Sequence, residues 1–390
     1  MRNLGIRFGF LFACVLVMAF ALTACGGGSS SSSTTETTSP EAGEATEEST
    51  GSEESTGSGE TLVEEPTSVR PTKIDASLEP LPEPPPKGIN VVNLQCDFPT
   101  CEAESKTVQA AGKALGWHVK TIVFKTGAPQ EAVTQAVNSP GAEFVVLSGI
   151  ERSIIEPQIK VAEEKGIQLI SASNPDPPLP PVWPVAIAQI YGVRQADALT
   201  RWMINDSGGK ANIMLLDYQE VPITAAEKPA VEETIEECPE CQFFDLPVTG
   251  EELAAGSVPA KVVAFLQSHP EVNYVQPAFG NILLGLPQAL QSAGLSEQVT
   301  LGGSGSMEEA EYKYLANDEV GAYMVAGQSE YSLMRLDAIA RILTHQELPQ
   351  GVYEKAPQNF LCTPKTAKEC LGWEGPENQM QEFEELWGLK

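Results

Sequence analysis

From residue 88 onward, short apolar runs alternate with segments of helical period, and this rhythm limits the available folds more than any other feature of the chain. Gly88–Leu94 is an apolar run. Val108, Ala111, Ala114 and Leu115 then recur at helical spacing, and Gly116 closes the segment. Trp117–Phe124 reads as a strand, Glu131–Val137 as a helix and Glu143–Leu147 as a buried strand. Ile154, Ile155, Ile159 and Ala162 mark another helix, and Ile167–Ile170 the next strand. Parallel strands need a long crossover, which a helix supplies, so repeated βα predicts an α/β fold with parallel sheets covered on both faces. Asn174–Pro184 interrupts the rhythm with six prolines. The alternation then restarts, with strands over Ala211–Leu216, Gln242–Leu246, Val272–Gln276, Val299–Gly302 and Val320–Ala326. Helices are expected over Tyr191–Ile204, Ala225–Glu237, Pro259–Gln267, Asn281–Ala293 and Ser329–Thr344. A similar order appearing twice predicts two lobes of duplicated structure.

The N-terminal part follows other rules. Arg2 and Arg7 precede an apolar run, Phe8–Leu22, that is short for a membrane span and has the layout of a secretory signal. It ends in Leu22-Thr23-Ala24-Cys25, which resembles the bacterial lipobox. That resemblance implies a lipoprotein signal peptide over 1–25 and lipidation of Cys25, anchoring the chain to a bilayer surface without spanning it. Residues 26–87 are rich in Gly, Ser, Thr and Glu and finish in Pro80–Pro86 (PLPEPPP). Such composition buries no core, so 26–87 is expected to be a disordered tether. A coil of about 60 residues has a root-mean-square reach of roughly 45 Å.

The net charge of the 390-residue chain is −29. Only thirteen acidic residues, against two basic ones, lie in 26–86, so most of that charge belongs to the folded part. A field of this sign repels nucleic acid and anionic lipid. Setting aside Cys14 in the signal and Cys25 leaves six cysteines in close pairs: Cys96/Cys101, Cys238/Cys241 and Cys362/Cys370. In an exported chain an even number of local pairs reads as three disulfides. Cys238-Pro-Glu-Cys241 sits among Glu236, Glu237 and Glu240, which disfavour a thiolate, so its role is read as structural. His118, His269 and His345 are widely separated, and no metal-ligand spacing or P-loop occurs. Gly302-Gly303-Ser304-Gly305-Ser306 lacks the last glycine of a nucleophile elbow. Adjacent acidic pairs such as Glu308/Glu309 read as solvated faces. No catalytic residue, metal or cofactor is expected.

The element order, together with Val108–Trp117 (VQAAGKALGW), Val145–Ser173 (VVLSGIERSIIEPQIKVAEEKGIQLISAS), Leu283–Leu295 (LLGLPQALQSAGL) and Phe383–Trp387 (FEELW), resembles the ribose-binding-like type I periplasmic binding proteins over Gly88–Lys390. The resemblance implies two Rossmann-like lobes: lobe one over 88–180 plus 327–390, and lobe two over 181–326. It implies three crossovers, placed near Asn174–Ala188, Gly302–Met307 and Val325–Ser329. It further implies a small polar ligand, foremost a sugar, held between the lobes and delivered to the permease subunits of an ABC importer. A ligand-sensing receptor ectodomain, or the partner of a membrane signalling protein, shares the fold and is the alternative. The chain is expected to act as a monomer. Many relatives carry an Asn-Asp pair before the helix that begins here at Asn281; this chain has Pro277-Ala278-Phe279-Gly280-Asn281 instead.

Ligand contacts are expected in the loops after the strands, where open α/β sheets bind. The candidates are Gln95, Asp97 and Phe98 after the first strand, then Ser148, Ser173 and Asn174. Lobe two offers Asp217, Tyr218, Phe279, Asn281 and Ser304, while Trp183 and Gln328 lie at crossovers. Amide, carboxylate and hydroxyl groups suit ligand hydroxyls, and aromatic rings suit C–H faces. Arg152 is the one arginine near these strand ends, and carboxylate or phosphate ligands usually recruit arginine. The expected ligand is therefore neutral or cationic.

Overall fold

The computed structural model describes residues 62–390, apart from 76, 126, 174–176, 186–187 and 354–356. The expected signal, the expected anchor at Cys25, residues 26–61 of the expected tether, Asn174 and the centre of the first crossover lie outside the described residues.

Lobe one is built on β1 (Asn90–Cys96), β2 (His118–Phe124), β3 (Phe144–Ser148), β4 (Gln168–Ala172) and β5 (Val182–Val185). They lie in the order β2-β1-β3-β4-β5, with every pairing parallel. Lobe two is built on β6 (Asn212–Asp217), β7 (Gln242–Pro247), β8 (Tyr274–Pro277), β9 (Thr300–Gly305), β10 (Ala322–Ala326) and β11 (Asn359–Cys362). Their order is β11-β10-β9-β8-β6-β7, parallel except where β11 runs against β10. Without β11 the second sheet repeats the order of the first, which is the duplication expected from the element sequence.

Strands buried on both faces read as continuous apolar runs, and alternate residues serve opposite cores. Val91 and Val146 pack with Val108, Leu115 and Leu336 on one face of the first sheet. Val92, Leu94, Val145 and Leu147 pack with Val133 and Ile159 on the other. In lobe two, Met214 and Leu216 meet Val262 and Leu290, while Ile213 and Leu215 meet Leu199, Met203 and Val231. Among the described residues no helix is long and apolar enough to cross a membrane.

The expected boundaries need four corrections. First, lobe one runs to residue 185, because β5 pairs with β4 along its edge. An edge position tolerates Pro184, which has no N–H for a further neighbour. Second, Gly302–Met307 is no crossover, since β9 is flanked by β8 and β10 within one sheet. Third, residues 359–375 return to lobe two: β11 extends its sheet, and Phe360, Ala367 and Trp373 enter its core beside the Cys362–Cys370 disulfide. The chain then goes back, and Phe383 and Trp387 join the core of lobe one.

Fourth, residues 62–87, expected to belong to a tether, are docked on the lobes. Asn205 accepts from the amides of Leu62 and Val63 at 3.0 and 3.1 Å, and Thr67 accepts from the amide of Leu361 at 2.7 Å. Leu78 and Leu81 are buried in the core of lobe one. A few apolar residues at the right spacing suffice to dock a segment whose average composition is polar.

A buried carboxylate gathers the elements at the back of lobe one. Asp337, fully buried, accepts from Arg341 Nε and Tyr353 Oη at 2.7 Å and from Trp387 Nε1 at 2.9 Å. Arg341 also donates to the carbonyl of Glu79 at 2.7 Å, which ties in the docked segment. Removing one partner of a buried ion pair strands the other charge. Asp337→Ala is expected to lower the unfolding free energy by about 3–5 kcal/mol in urea denaturation; a loss below about 1 kcal/mol would contradict this role for the carboxylate.

Candidate functional site

In each sheet the strand order reverses beside the first strand, so successive helices leave on opposite faces and a crevice opens at the carboxyl ends. The two crevices contribute to one cleft of about 390 Å³. The loops after β1, β3 and β4 line it from lobe one, and those after β6, β8 and β9 from lobe two.

The Cys96–Cys101 disulfide, with Cα atoms 5.5 Å apart, ties the end of β1 to the first turn of the helix Pro99–Leu115. Phe98, held inside that ring, is 37% exposed and lines the cleft. Tyr218 and Phe279 meet edge to face with ring centroids 5.4 Å apart. The Tyr218 hydroxyl donates to Glu220 at 3.2 Å, and Glu220 also accepts from the Gly250 amide at 2.9 Å. Burial, then the charges of Glu220 and Asp97, push the Tyr218 hydroxyl up to about 12, so it remains a donor at neutral pH. Ser173 holds φ of 55°, unusual without glycine, and its hydroxyl bonds with that of Tyr331. Asn281 donates to Glu311 at 3.2 Å, and Ser304 donates to the carbonyl of Ala278 at 3.3 Å.

Of the candidates read from the sequence, Phe98, Ser148, Ser173, Tyr218, Phe279, Asn281, Ser304 and Gln328 are brought together along the cleft. Gln95, Asp97, Trp183 and Asp217 are not among its lining residues. Gln95 pairs with Val123 in the sheet. Trp183 donates to Gln168 at 2.8 Å and packs against the core of lobe one, because β5 belongs to that sheet. Asp97 acts on the cleft through its charge on Tyr218. Asp217 is buried, accepts from the Gln219 amide, and stands close enough to Glu227 to act on it electrostatically.

Five lining residues with carboxylate or amide side chains were not foreseen: Glu104, Glu151, Gln195, Glu220 and Glu227. Glu104, Gln195 and Glu227 lie on helices, so a search confined to strand-end loops passes over them. Their signal is a polar residue interrupting the apolar stripe of a helix that follows a strand. Glu104 accepts from Arg335 at 2.7 Å, and the Arg335 guanidinium lies 4.5 Å from the centre of the Tyr331 ring. Glu227 is 4% exposed, and its carboxyl is held well above the usual range by burial and then by Asp217. Gly192 makes room for it: a side chain there would collide with the Ile223 carbonyl and press on Glu227. Among the described residues no group of three or more His, Cys, Asp or Glu is placed to hold a metal.

The sequence matches the family described as periplasmic binding protein domain over residues 91–347. The chain belongs to the periplasmic binding protein family. As a member of it, the chain has the two-lobed α/β class and the type I, ribose-binding-like form that its sequence resembles. No curated protein sequence matches it. Solved binding proteins share its fold. One is an ABC transporter periplasmic solute binding protein from Actinobacillus succinogenes 130z with bound D-allose, at 14% identity and TM-score 0.60, covering 73% of this chain and 100% of that one. Another is GanP, a glucose-galactose binding protein from Geobacillus stearothermophilus, at 14% identity and TM-score 0.61, covering 72% and 99%. The XylFII-LytSN complex matches at 12% identity and TM-score 0.61, covering 72% and 100%. Likeness at these identities is a likeness of fold.

The raised Glu227 carboxyl gives this binding protein a pH signature. Its folded value lies above the ordinary 4.5, so the folded state keeps a proton that the unfolded state releases. The stability it contributes is full below about pH 4.5 and is lost as pH rises through the folded value. Urea denaturation at about pH 5 and about pH 8 should show wild type losing roughly 1 kcal/mol or more relative to Glu227→Gln. Equal losses in the two proteins would contradict this.

Proposed function

We propose that this protein is an extracytoplasmic solute-binding lipoprotein, which captures a small polar ligand, foremost a sugar, between its lobes and hands it unchanged to an ABC importer. One observation carries the reading: the carboxyl ends of the five parallel strands that the two sheets share in the same order open on one cleft, lined by aromatic rings, amides, hydroxyls and carboxylates. Apolar rings fit the C–H faces of a solute, and the polar groups fit its edges. Ligand contacts with both lobes favour closure, because hinge motion is then stabilised by bonds that only the closed form makes. Membership of a solute-binding family supports binding without turnover. The Ser304 hydroxyl fits this, since it is engaged with a backbone carbonyl. The lipobox-like Leu22–Cys25 supports anchoring of the chain at the outer face of the cell membrane through Cys25. ABC permease subunits are the partners of this reading.

A second reading keeps the cleft and changes the partner. The XylFII-LytSN complex, which shares the fold, contains a second protein, and a signalling partner would likewise read lobe closure here.

A thermal-shift screen of sugars and polyols on the full chain selects the strongest binder, because ligands of the native state raise its melting temperature. With that solute, Phe279→Ala is expected to weaken binding at least about tenfold in calorimetry while the melting temperature without solute stays near wild type. Unchanged affinity would remove Phe279 from the site, and a screen without any binder would remove the sugar reading. Cys25→Ser is expected to shift the protein from the membrane fraction to the soluble fraction; full membrane retention would contradict the lipid anchor.

A further inference from the structure

The chemistry of the cleft narrows the ligand further, on the assumption that the solute-binding reading holds. Among the described residues lining it are Glu104, Glu151, Glu220 and Glu227, and no lysine, arginine or histidine. These carboxylates are not equivalent. Glu104 is matched by Arg335, which is buried behind it. Glu220 is occupied by the Tyr218 hydroxyl and the Gly250 amide. Glu151 accepts from the Ser153 hydroxyl at 3.1 Å.

Glu227 differs from all three. It is 4% exposed, lines the cleft, and makes no side-chain hydrogen bond to any described residue. The charged groups around it offer no relief. Asp217 adds a second carboxylate, Glu220 lines the same cleft, and Lys228, next in sequence, is bound to Asp245 at 2.5 Å. With no cation beside it the buried carboxyl keeps its proton, and ionising it is costly until a cation arrives. A second group is also unsatisfied: Gln195, likewise 4% exposed and lining the cleft, has an amide nitrogen with no acceptor. Thus one acid with no ion-pair partner lines the cleft and one buried amide lacks an acceptor, on the two sides of a helix packing made close by Gly192.

We propose that the ligand is a hydroxylated solute bearing an ammonium group, which seats on Glu227 while a ligand oxygen accepts from Gln195. A neutral hydroxyl would give Glu227 one ordinary hydrogen bond. An ammonium gives it a charge-assisted bond, and also compensates Asp217. The rings of Phe98, Tyr218 and Phe279 accommodate the carbon frame and favour a cation near their faces. The surplus of negative charge in the cleft draws a cation in and repels carboxylate or phosphate solutes.

Calorimetry on the full chain at about pH 7 with two matched pairs of probes tests this: D-glucosamine against D-glucose, and D-glucamine against D-sorbitol. In each pair one hydroxyl is replaced by an amine. The ammonium member of at least one pair is expected to bind at least about tenfold tighter, roughly 1.4 kcal/mol. In Glu227→Gln that gap should close while neutral affinities hold within about threefold (about 0.7 kcal/mol). Thermal unfolding of the variant, which loses a buried acid and keeps its shape, verifies that it is folded. Neutral members binding as well as the amines would overturn the inference and leave the solute-binding reading standing. A gap that persists in Glu227→Gln would overturn the assignment to that residue. No binding by any of the four probes would overturn the ammonium inference and count against the sugar class as well.

Discussion

Parallel strands make the chain return across a sheet face between one strand and the next. Where strand order reverses, neighbouring returns fall on opposite faces, and the space at the strand ends stays open. Both sheets obey this constraint in the same order, with β1 and β6 at the reversal. The cleft is therefore a consequence of topology before it is a matter of side chains. The hydrophobic cores on either face hold the two openings in place, and the Cys96–Cys101 link fixes the lip of the first.

Within that opening, four carboxylates line the cleft among the described residues. Groups that a compact fold would normally satisfy are left incomplete: the Gln195 amide, which lines the cleft, and one oxygen of Glu311. At Asp337, by comparison, three donors meet one buried carboxylate. The Gln195 amide is the one of these groups that a ligand in the cleft could complete.

Much of the architecture was legible because periodicity is a local signal. Runs such as Phe144–Ser148 and Ile213–Leu216, buried on both faces, announce parallel strands directly. Long-range pairing leaves no such trace. Nothing in Asn359–Cys362 says that it crosses back to run antiparallel to β10, and nothing in Val182–Val185 says which sheet it joins. The docking of Leu78 and Leu81 depends on a groove built by residues near the other end of the chain. In the site, strand-end residues such as Phe98, Ser148 and Tyr218 were visible, since topology fixes where strand ends go. Glu227 and Gln195 were not, since a polar residue on a helix looks solvated until the packing around it is known.

The central claim is that one solute bridges both lobes and that bridging closes them. Small-angle X-ray scattering during titration, using the solute that most raises the melting temperature, tests it most directly. The account predicts a radius of gyration that falls and saturates in step with calorimetric binding. A scattering curve unchanged at saturating solute would show that the cleft binds without closing, and would contradict the account.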